Sequence, residues 1–330
     1  MNYDVSAVIP VYNNSEYISA AVKSVLGQTR PPSEVIVVDD GSTDDTRQEL
    51  AKFGKNIKYV YQENRGEPAA RNRGIREAKC EWIAFLDGDD LWRENKLELQ
   101  MAYAARHPEL ALIYSDMCTF DKNGIIDASV KERFRMEFRR GGIFPALFQR
   151  SLFGSGSVVF RKKCVEVVGY FDENLLVGSD YEMWLRIARR FECGAVDCPL
   201  LMYRFHSSMS TQGLGVKMCN GKPWESVVLE TTLRLHPKVL DELGRTGVNR
   251  RLSKPYAGAA MSRFRRGNYN EARALITRAI GYWPSKVSYW LLYIGSCLHP
   301  GQIAAAQKVF RKLNGHRRVH NDGVSASNTN

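Results

Sequence analysis

The sequence predicts an α/β protein: a doubly wound, mostly parallel sheet followed by a C-terminal helical extension. Three observations point there. Strand and helix patterns alternate through residues 1–116. Several strand segments are unbroken runs of bulky apolar residues, the pattern of strands buried on both faces of a sheet. Acidic residues gather at the ends of two of those runs, the edge at which open α/β sheets take their ligands.

Residues 5–12, VSAVIPVY, read as the first strand. After it Ile18, Ala21, Val22, Val25 and Leu26 recur at helical spacing, and Pro31-Pro32 closes the segment. Residues 34–40, EVIVVDD, give a second buried strand ending in Asp39 and Asp40. Ser42, with Asp45 three residues on, reads as a variant capping box opening the next helix. Residues 57–61 supply a third strand and 67–80 a helix, with Pro68 in the first turn where its missing N–H costs nothing. Trp82-Ile83-Ala84-Phe85-Leu86 is the fourth strand. A helix near 94–106 stops before Pro108, and 110–116 makes a fifth strand. Such alternation builds βαβ units.

The fourth strand runs into Asp87-Gly88-Asp89-Asp90. Three carboxylates in four residues raise one another's pKa unless a cation or donors compensate them. A hard divalent ion that also holds phosphates, Mg2+ or Mn2+, is the usual compensation, although Asp-Gly-Asp also suits an exposed turn. The first turn, PVYNNSEY, lacks the Gly-x-Gly-x-x-Gly cradle of a dinucleotide fold. A diphosphate bound here therefore needs another counter-charge, which a metal at 87–90 supplies.

Beyond the sheet, residues 241–330 hold fifteen Lys and Arg against four Asp and Glu, so the net charge of +11 belongs to this stretch. A basic appendage suggests attraction to an anionic surface; a solvated helical face is the plainer alternative. Residues 256–285 resemble one tetratricopeptide-type hairpin, with Gly267 as a helix stop and a second helix at 270–281. A single such hairpin cannot bury its own face, so it must pack on the sheet domain, on the apolar segment 287–298, or on a partner. That segment could also rest on a membrane surface. The small polar end, GVSASNTN, reads as disordered.

VIPVYNNSEYI, VVDDGSTDDT, NRGEPAARNRGI, FLDGDD, GSDYEMWLRI (178–187) and YRFHSSMST (203–211) resemble, in order and spacing, the family 2 glycosyltransferases of GT-A fold. The resemblance covers about the first two thirds of the chain and implies a GT-A domain at 1–215, split into a nucleotide-binding half (1–116) and an acceptor half (117–215), with 216–330 as the extension. It implies inverting transfer of a sugar from a nucleotide diphosphate sugar, here a UDP-sugar, to a hydroxyl of a glycan or lipid-linked acceptor. Pro10, Val11, Tyr12, Glu16, Asp39, Arg71, Asp87, Gly88 and Asp89 fall at nucleotide-binding positions, and Asp89, Asp90 and His206 at metal positions for Mn2+ or Mg2+. Which of Asp87, Asp89 and Asp90 touches metal directly and which touches ribose stays open. Asp180 matches the general base; its plainer reading is a helix N-cap. The common motif has Glu-Asp where this chain has Ser179-Asp180. Arg204 and His206 lie where the family presents groups to diphosphate or metal.

No run of eighteen apolar residues is present, and the N-terminus shows no basic stretch followed by a long apolar one. The expectation is a cytoplasmic protein, peripheral at the inner face of the membrane through its basic tail. Nucleic acid is not the expected partner. Seven cysteines without Cys-x-x-Cys fit reduced core thiols. A nucleotidyltransferase would want a Gly-rich phosphate loop after the first strand, which is missing; a non-catalytic nucleotide-sugar-binding or scaffold protein recruiting partners through the tail is the alternative function.

Overall fold

A computed structural model describes residues 3–151, 153–206 and 217–298. The chain divides into two units, Met1–Gln212 with Val228–Pro237, and Gly213–Val227 with Lys238–Asn330. The first begins β1 (Val5–Val11), α1 (Ile18–Leu26), β2 (Glu34–Asp39), α2 (Thr46–Ala51), β3 (Lys58–Tyr61), α3 (Glu67–Glu77), β4 (Trp82–Phe85), β5 (Leu91–Trp92) and α4 (Lys96–Arg106). It continues with β6 (Leu112–Asp121), β7 (Gly124–Asp127), α5 (Val130–Arg133), α6 (Phe144–Gln149), β8 (Val159–Arg161), α7 (Cys164–Val168), α8 (Ser179–Arg190) and β9 (Cys193–Arg204).

The sheet runs β3-β2-β1-β4-β8-β6-β9-β5, with β7 paired to β6. Its first four strands are parallel, with Val8 level with Ile36 on one side and Phe85 on the other. The fifth strand expected from sequence is β6, but it does not lie beside β4. The three-residue β8 is inserted between them, antiparallel to both, and is too short to announce itself as a strand. Alternate residues of β1 explain the double winding. Val5, Ala7, Ile9 and Val11 join a core with Ile18, Val22 and Val25 of α1 and Leu97, Met101 and Ala104 of α4. Val8 faces α3, where a Cβ on Gly74 would come within 2.2 Å of Val8 Cγ1; only glycine lets helix and strand approach so closely.

Pro10 lies in a central strand, which would ordinarily lose a ladder hydrogen bond. Leu86 N donates to Val8 O and Asp40 N donates to Val11 O, so the missing N–H of Pro10 faces β4, whose pairing with β1 has already ended at Val8 and Phe85. The expected capping box at Ser42 is corrected by the structure. α2 starts only at Thr46 with Asp45 as its N-cap, because Ser42 is committed elsewhere: its hydroxyl accepts from Asn13 N (3.0 Å) and its own N–H donates to Asp39 Oδ1 (2.8 Å).

The second unit holds the short strands β10 (Met218–Cys219) and β11 (Lys222–Pro223), followed in the chain by α9 (Trp224–Leu235), α10 (Val239–Glu242), α11 (Arg245–Arg265), α12 (Tyr269–Tyr282) and α13 (Val287–Cys297). The hairpin expected at 256–285 is α11 and α12, with Gly267 at φ +80° in the turn and Asn268 capping α12. α11 begins well before residue 256 and runs through Pro255, a residue that reads as a boundary in sequence. Of the three ways of covering the hairpin's open face, the unit uses 287–298: Tyr289 and Leu292 of α13 join Tyr256, Ala260, Phe264, Leu275, Ile276 and Ala279 in one apolar cluster. Among the described residues no helix is long and apolar enough to cross a membrane. No disulfide joins the seven cysteines. The end 323–330, expected to be disordered, and residues 207–211 of the last motif lie outside the described residues.

Candidate active site

The loops after β1 and β2 are tied together by short polar side chains. Thr43 N donates to Asn13 Oδ1 (2.7 Å), Asn14 N to Thr46 Oγ1 (2.9 Å) and Ser15 N to Asp44 Oδ2 (3.0 Å). Asn13 adopts φ +47°, a conformation asparagine tolerates better than most residues. Burial would raise the Asp44 carboxyl, but the hydroxyl of Thr46 and the amides of Ser15 and Thr46 hold it below its ordinary value. The clamp leaves Tyr12 exposed beside the buried Asp39. Asp39 accepts from Ser42 N and, at 2.7 Å, from the Tyr59 hydroxyl; each carboxylate oxygen keeps a free lone pair for a further donor. Asp40 accepts from Gln62 Nε2, Arg65 N and Gly66 N, which fixes the turn that launches α3.

Arg71 on α3 is 3 % exposed. Its Nη2 donates to Asp87 Oδ1 at 2.9 Å and is also paired with Glu67, one turn earlier. Phe85 and Phe171 flank its guanidinium, with centroids 5.8 and 5.7 Å away. Burial would lower its pKa, but the fields of Glu67, Asp87 and Asp180 hold it above the ordinary arginine value. Glu67 keeps 46 % of its side-chain surface open yet stands in a crowded concavity. That desolvation, with the fields of Asp87, Asp180 and Asp89 opposed by Arg71, raises its carboxyl to about 7.

Asp89 Oδ2 lies 3.0 Å from His206 Nε2, and the Asp89 carbonyl accepts from Arg204 Nε at 2.7 Å. Asp90, buried, accepts from Arg204 N at 2.8 Å. Burial first, then Asp87, raises the carboxyl of Asp89; burial, Asp87 and Asp89 raise that of Asp90 strongly. Arg204 also lies over the rings of Tyr17 (4.8 Å) and Phe120 (4.5 Å), and the Tyr17 ring is 4.7 Å from that of His206. Gly88 is needed for space, since a Cβ there would meet Asn14 Nδ2 at 3.1 Å and Val11 Cγ2 at 3.2 Å.

Asp180 is the second residue of α8, and the N-cap position belongs to Gly178 at φ +78°. Asp180 is therefore not the N-cap, although its side chain still serves one N–H of the first turn. Its Oδ1 accepts from Tyr181 N at 2.7 Å, which leaves Oδ2 for another partner. Met183, Trp184 and Ile187, three, four and seven residues further on, lie on the same side of the helix and are buried.

The structure thus brings Arg71, Asp87, Asp89, Asp90, Asp180 and His206 close together, with Pro10, Val11, Tyr12 and Asp39 on the same strand edge. Glu16 is exposed, and its carboxylate beside Tyr17 raises that phenol above its ordinary value. Glu67 was missed in the sequence because a first-turn acid is ordinary there; its spacing of four from Arg71 was the available signal. Among the described residues no group of three or more His, Cys, Asp and Glu is arranged to hold a metal ion. Asp89 and His206 nevertheless present two donor atoms 3.0 Å apart, which is about the separation of neighbouring ligands on an octahedral ion at ~2.1 Å.

A crystal structure of Staphylococcus aureus TarS 1–349 in complex with UDP-GlcNAc is similar over 96 % of this chain and 93 % of that one, with TM-score 0.61 and 16 % identity. The fold is GT-A. Residues 6–167 match the family described as Glycosyl transferase family 2. An uncharacterized glycosyltransferase of Rickettsia felis is 32 % identical over 209 residues, 63 % of this chain. The UDP-Glc:alpha-D-GlcNAc-diphosphoundecaprenol beta-1,3-glucosyltransferase WfgD of Escherichia coli is 30 % identical over 217 residues, 64 % of this chain and 79 % of that protein. This chain belongs to glycosyl transferase family 2. It spans about a third, 34 %, of the length of the Rickettsia felis relative.

Proposed function

We propose that the chain is an inverting glycosyltransferase that moves a sugar from a UDP-sugar to a hydroxyl of a lipid-linked glycan, in surface polysaccharide synthesis at the cytoplasmic face of a membrane. The observation that carries the reading is the buried Arg71 surrounded by Glu67, Asp87 and Asp180 at the strand edge. Two further points support it: TarS carries UDP-GlcNAc in a chain of the same fold, and WfgD is named for a diphosphoundecaprenol acceptor.

In this reading Tyr12 lies against the uracil, Asp39 accepts from its N–H, and Pro10, Val11 and Glu16 complete the nucleoside side. Gly88 lets the backbone approach, and Asp87 and Asp89 face ribose and diphosphate. Asp89 and His206, with Asp90 beside them, would hold Mn2+ or Mg2+, which would neutralise the diphosphate and the charge on the leaving UDP. Asp180 takes the proton of the acceptor hydroxyl through its free oxygen. The hydroxyl oxygen then bonds to the anomeric carbon from the face opposite UDP, the bond to the β-phosphate oxygen breaks, and its electron pair leaves with UDP. Arg71 keeps a positive charge beside the phosphates, in a setting where burial strengthens it. The basic stretch 241–330 adds attraction to anionic headgroups.

The test is UDP release from a panel of UDP-sugars in the presence of GlcNAc-diphosphate-polyprenol. Acceptor-dependent release from one donor is expected. No release from any donor, together with no UDP binding, would overturn the reading.

A further inference from the structure

We propose that β7, the outer strand of the β6–β7 hairpin, with the basic segment after it, is a docking surface for an anionic lipid membrane. Ile125 and Ile126 are adjacent in the chain and each is 51 % exposed. β7 pairs only with β6, and its Gly124, Ile125 and Ile126 are all exposed. Edge strands are ordinarily protected by charge or by covering structure, and two exposed isoleucines just after the polar turn 121–124 are the opposite arrangement. α5 follows at once and is tied back by Arg133 Nη1 to Asp127 Oδ2 at 3.0 Å, with Phe134 exposed beyond it.

The surrounding charge selects the partner. Residues 121–150 contain seven Lys and Arg against four Asp and Glu, and Lys122, Arg133, Arg135, Arg139, Arg140 and Arg150 are exposed. The exposed isoleucines need an apolar medium and the cations need anions; a membrane rich in acidic lipid offers both at one interface. A nucleic acid would satisfy the cations and leave the isoleucines in water.

The hairpin also springs from the wall of the acid cluster. The Phe120 carbonyl accepts from Phe205 N at 2.7 Å, and the Phe120 ring lies 4.5 Å from the guanidinium of Arg204, which bonds Asp89 and Asp90. A lipid surface at residues 125–126 therefore stands next to the mouth of the candidate active site, where a lipid-linked acceptor has to enter. The purpose of the contact rests on the proposed function; the contact itself does not.

The full chain is floated with vesicles of phosphatidylcholine plus phosphatidylglycerol, and with phosphatidylcholine alone. The double variant Ile125→Thr with Ile126→Thr keeps the β-branched shape of a strand. It should bind the anionic vesicles roughly tenfold more weakly or worse, the order expected for two aliphatic side chains left in water. Its UDP affinity should be unchanged, which shows that the fold and the nucleotide site persist. Arg135→Gln with Arg150→Gln should lessen the salt dependence of vesicle binding. Wild-type binding to anionic vesicles by the isoleucine variant would overturn the proposal, as would failure of the wild type to bind them. A wild type that binds vesicles but not UDP would instead count against the proposed function alone.

Discussion

Arg71→Met removes the one buried cation around which the acids of the site are arranged and keeps a side chain of similar reach between Phe85 and Phe171. The guanidinium is 3 % exposed and is paired with both Glu67 and Asp87. Removing one partner of a buried ion pair costs ~3–5 kcal/mol. Asp87 and Glu67 keep 28 % and 46 % of their side-chain surface in solvent, so partial hydration puts the cost at the lower end, about 3 kcal/mol. For a unit of this size that is a fall of roughly 6–12 °C in Tm. The sign with pH follows from linkage. Without Arg71 the Glu67 carboxyl binds its proton more tightly in the folded state, so stability drains away as pH rises through its raised pKa. The deficit, read by calorimetry on the transition of the N-terminal unit, should be larger near about pH 8 than near about pH 5.5. A change below about 2 °C at the higher pH, or a deficit that grows on acidification, would refute the counter-charge argument.

Asp180→Asn keeps an oxygen for the Tyr181 amide and loses the proton acceptor; transfer should fall by ~100-fold or more with UDP affinity and Tm retained, and near-normal turnover would remove Asp180 from the mechanism. Glu67 has a folded pKa raised to about 7. The stability held by its bound proton is therefore present below the unfolded value of about 4.3 and lost as pH rises through about 7. Glu67→Gln should flatten that part of the stability–pH curve, and an unaltered curve would mean that Glu67 does not titrate there. Gly74→Ala drives a methyl to within 2.2 Å of Val8 Cγ1, so it should destabilise by ~1–3 kcal/mol in urea titration; a neutral result would show that α3 can lift from β1 freely.

The parallel half of the sheet was legible because its signals are local: apolar runs at 34–38 and 82–86, and acids directly after them. Asp87, Asp89 and Asp90 could be placed at the sheet edge on that basis alone. What sequence could not give depends on contacts distant along the chain. Ser42 carries a good capping pattern, yet Asn13, some thirty residues earlier, claims its hydroxyl. β8 is three residues long and is ordered only by lying between β4 and β6. Glu67 becomes unusual only when folding brings Asp87, Asp89 and Asp180 to it. Ile125 and Ile126 carry no mark in the sequence and become notable only because the sheet leaves β7 at its margin. Asp180 shows the reverse case, in which the sequence offered an N-cap reading and Gly178 occupies that position instead.

If the acids after β4 form a site where metal and nucleotide bind together, UDP affinity measured by calorimetry depends on whether Mn2+, Mg2+ or chelator is present. A cation bridging carboxylate and diphosphate links the two binding events. Wild type should bind UDP at least about tenfold more tightly with Mn2+ than with chelator, a coupling of roughly 1.4 kcal/mol. Asp89→Ala should lose that difference with its Tm intact, since removing one of three crowded carboxylates relieves repulsion. Equal UDP affinity with and without metal in the wild type, or full metal dependence in Asp89→Ala, would contradict the account.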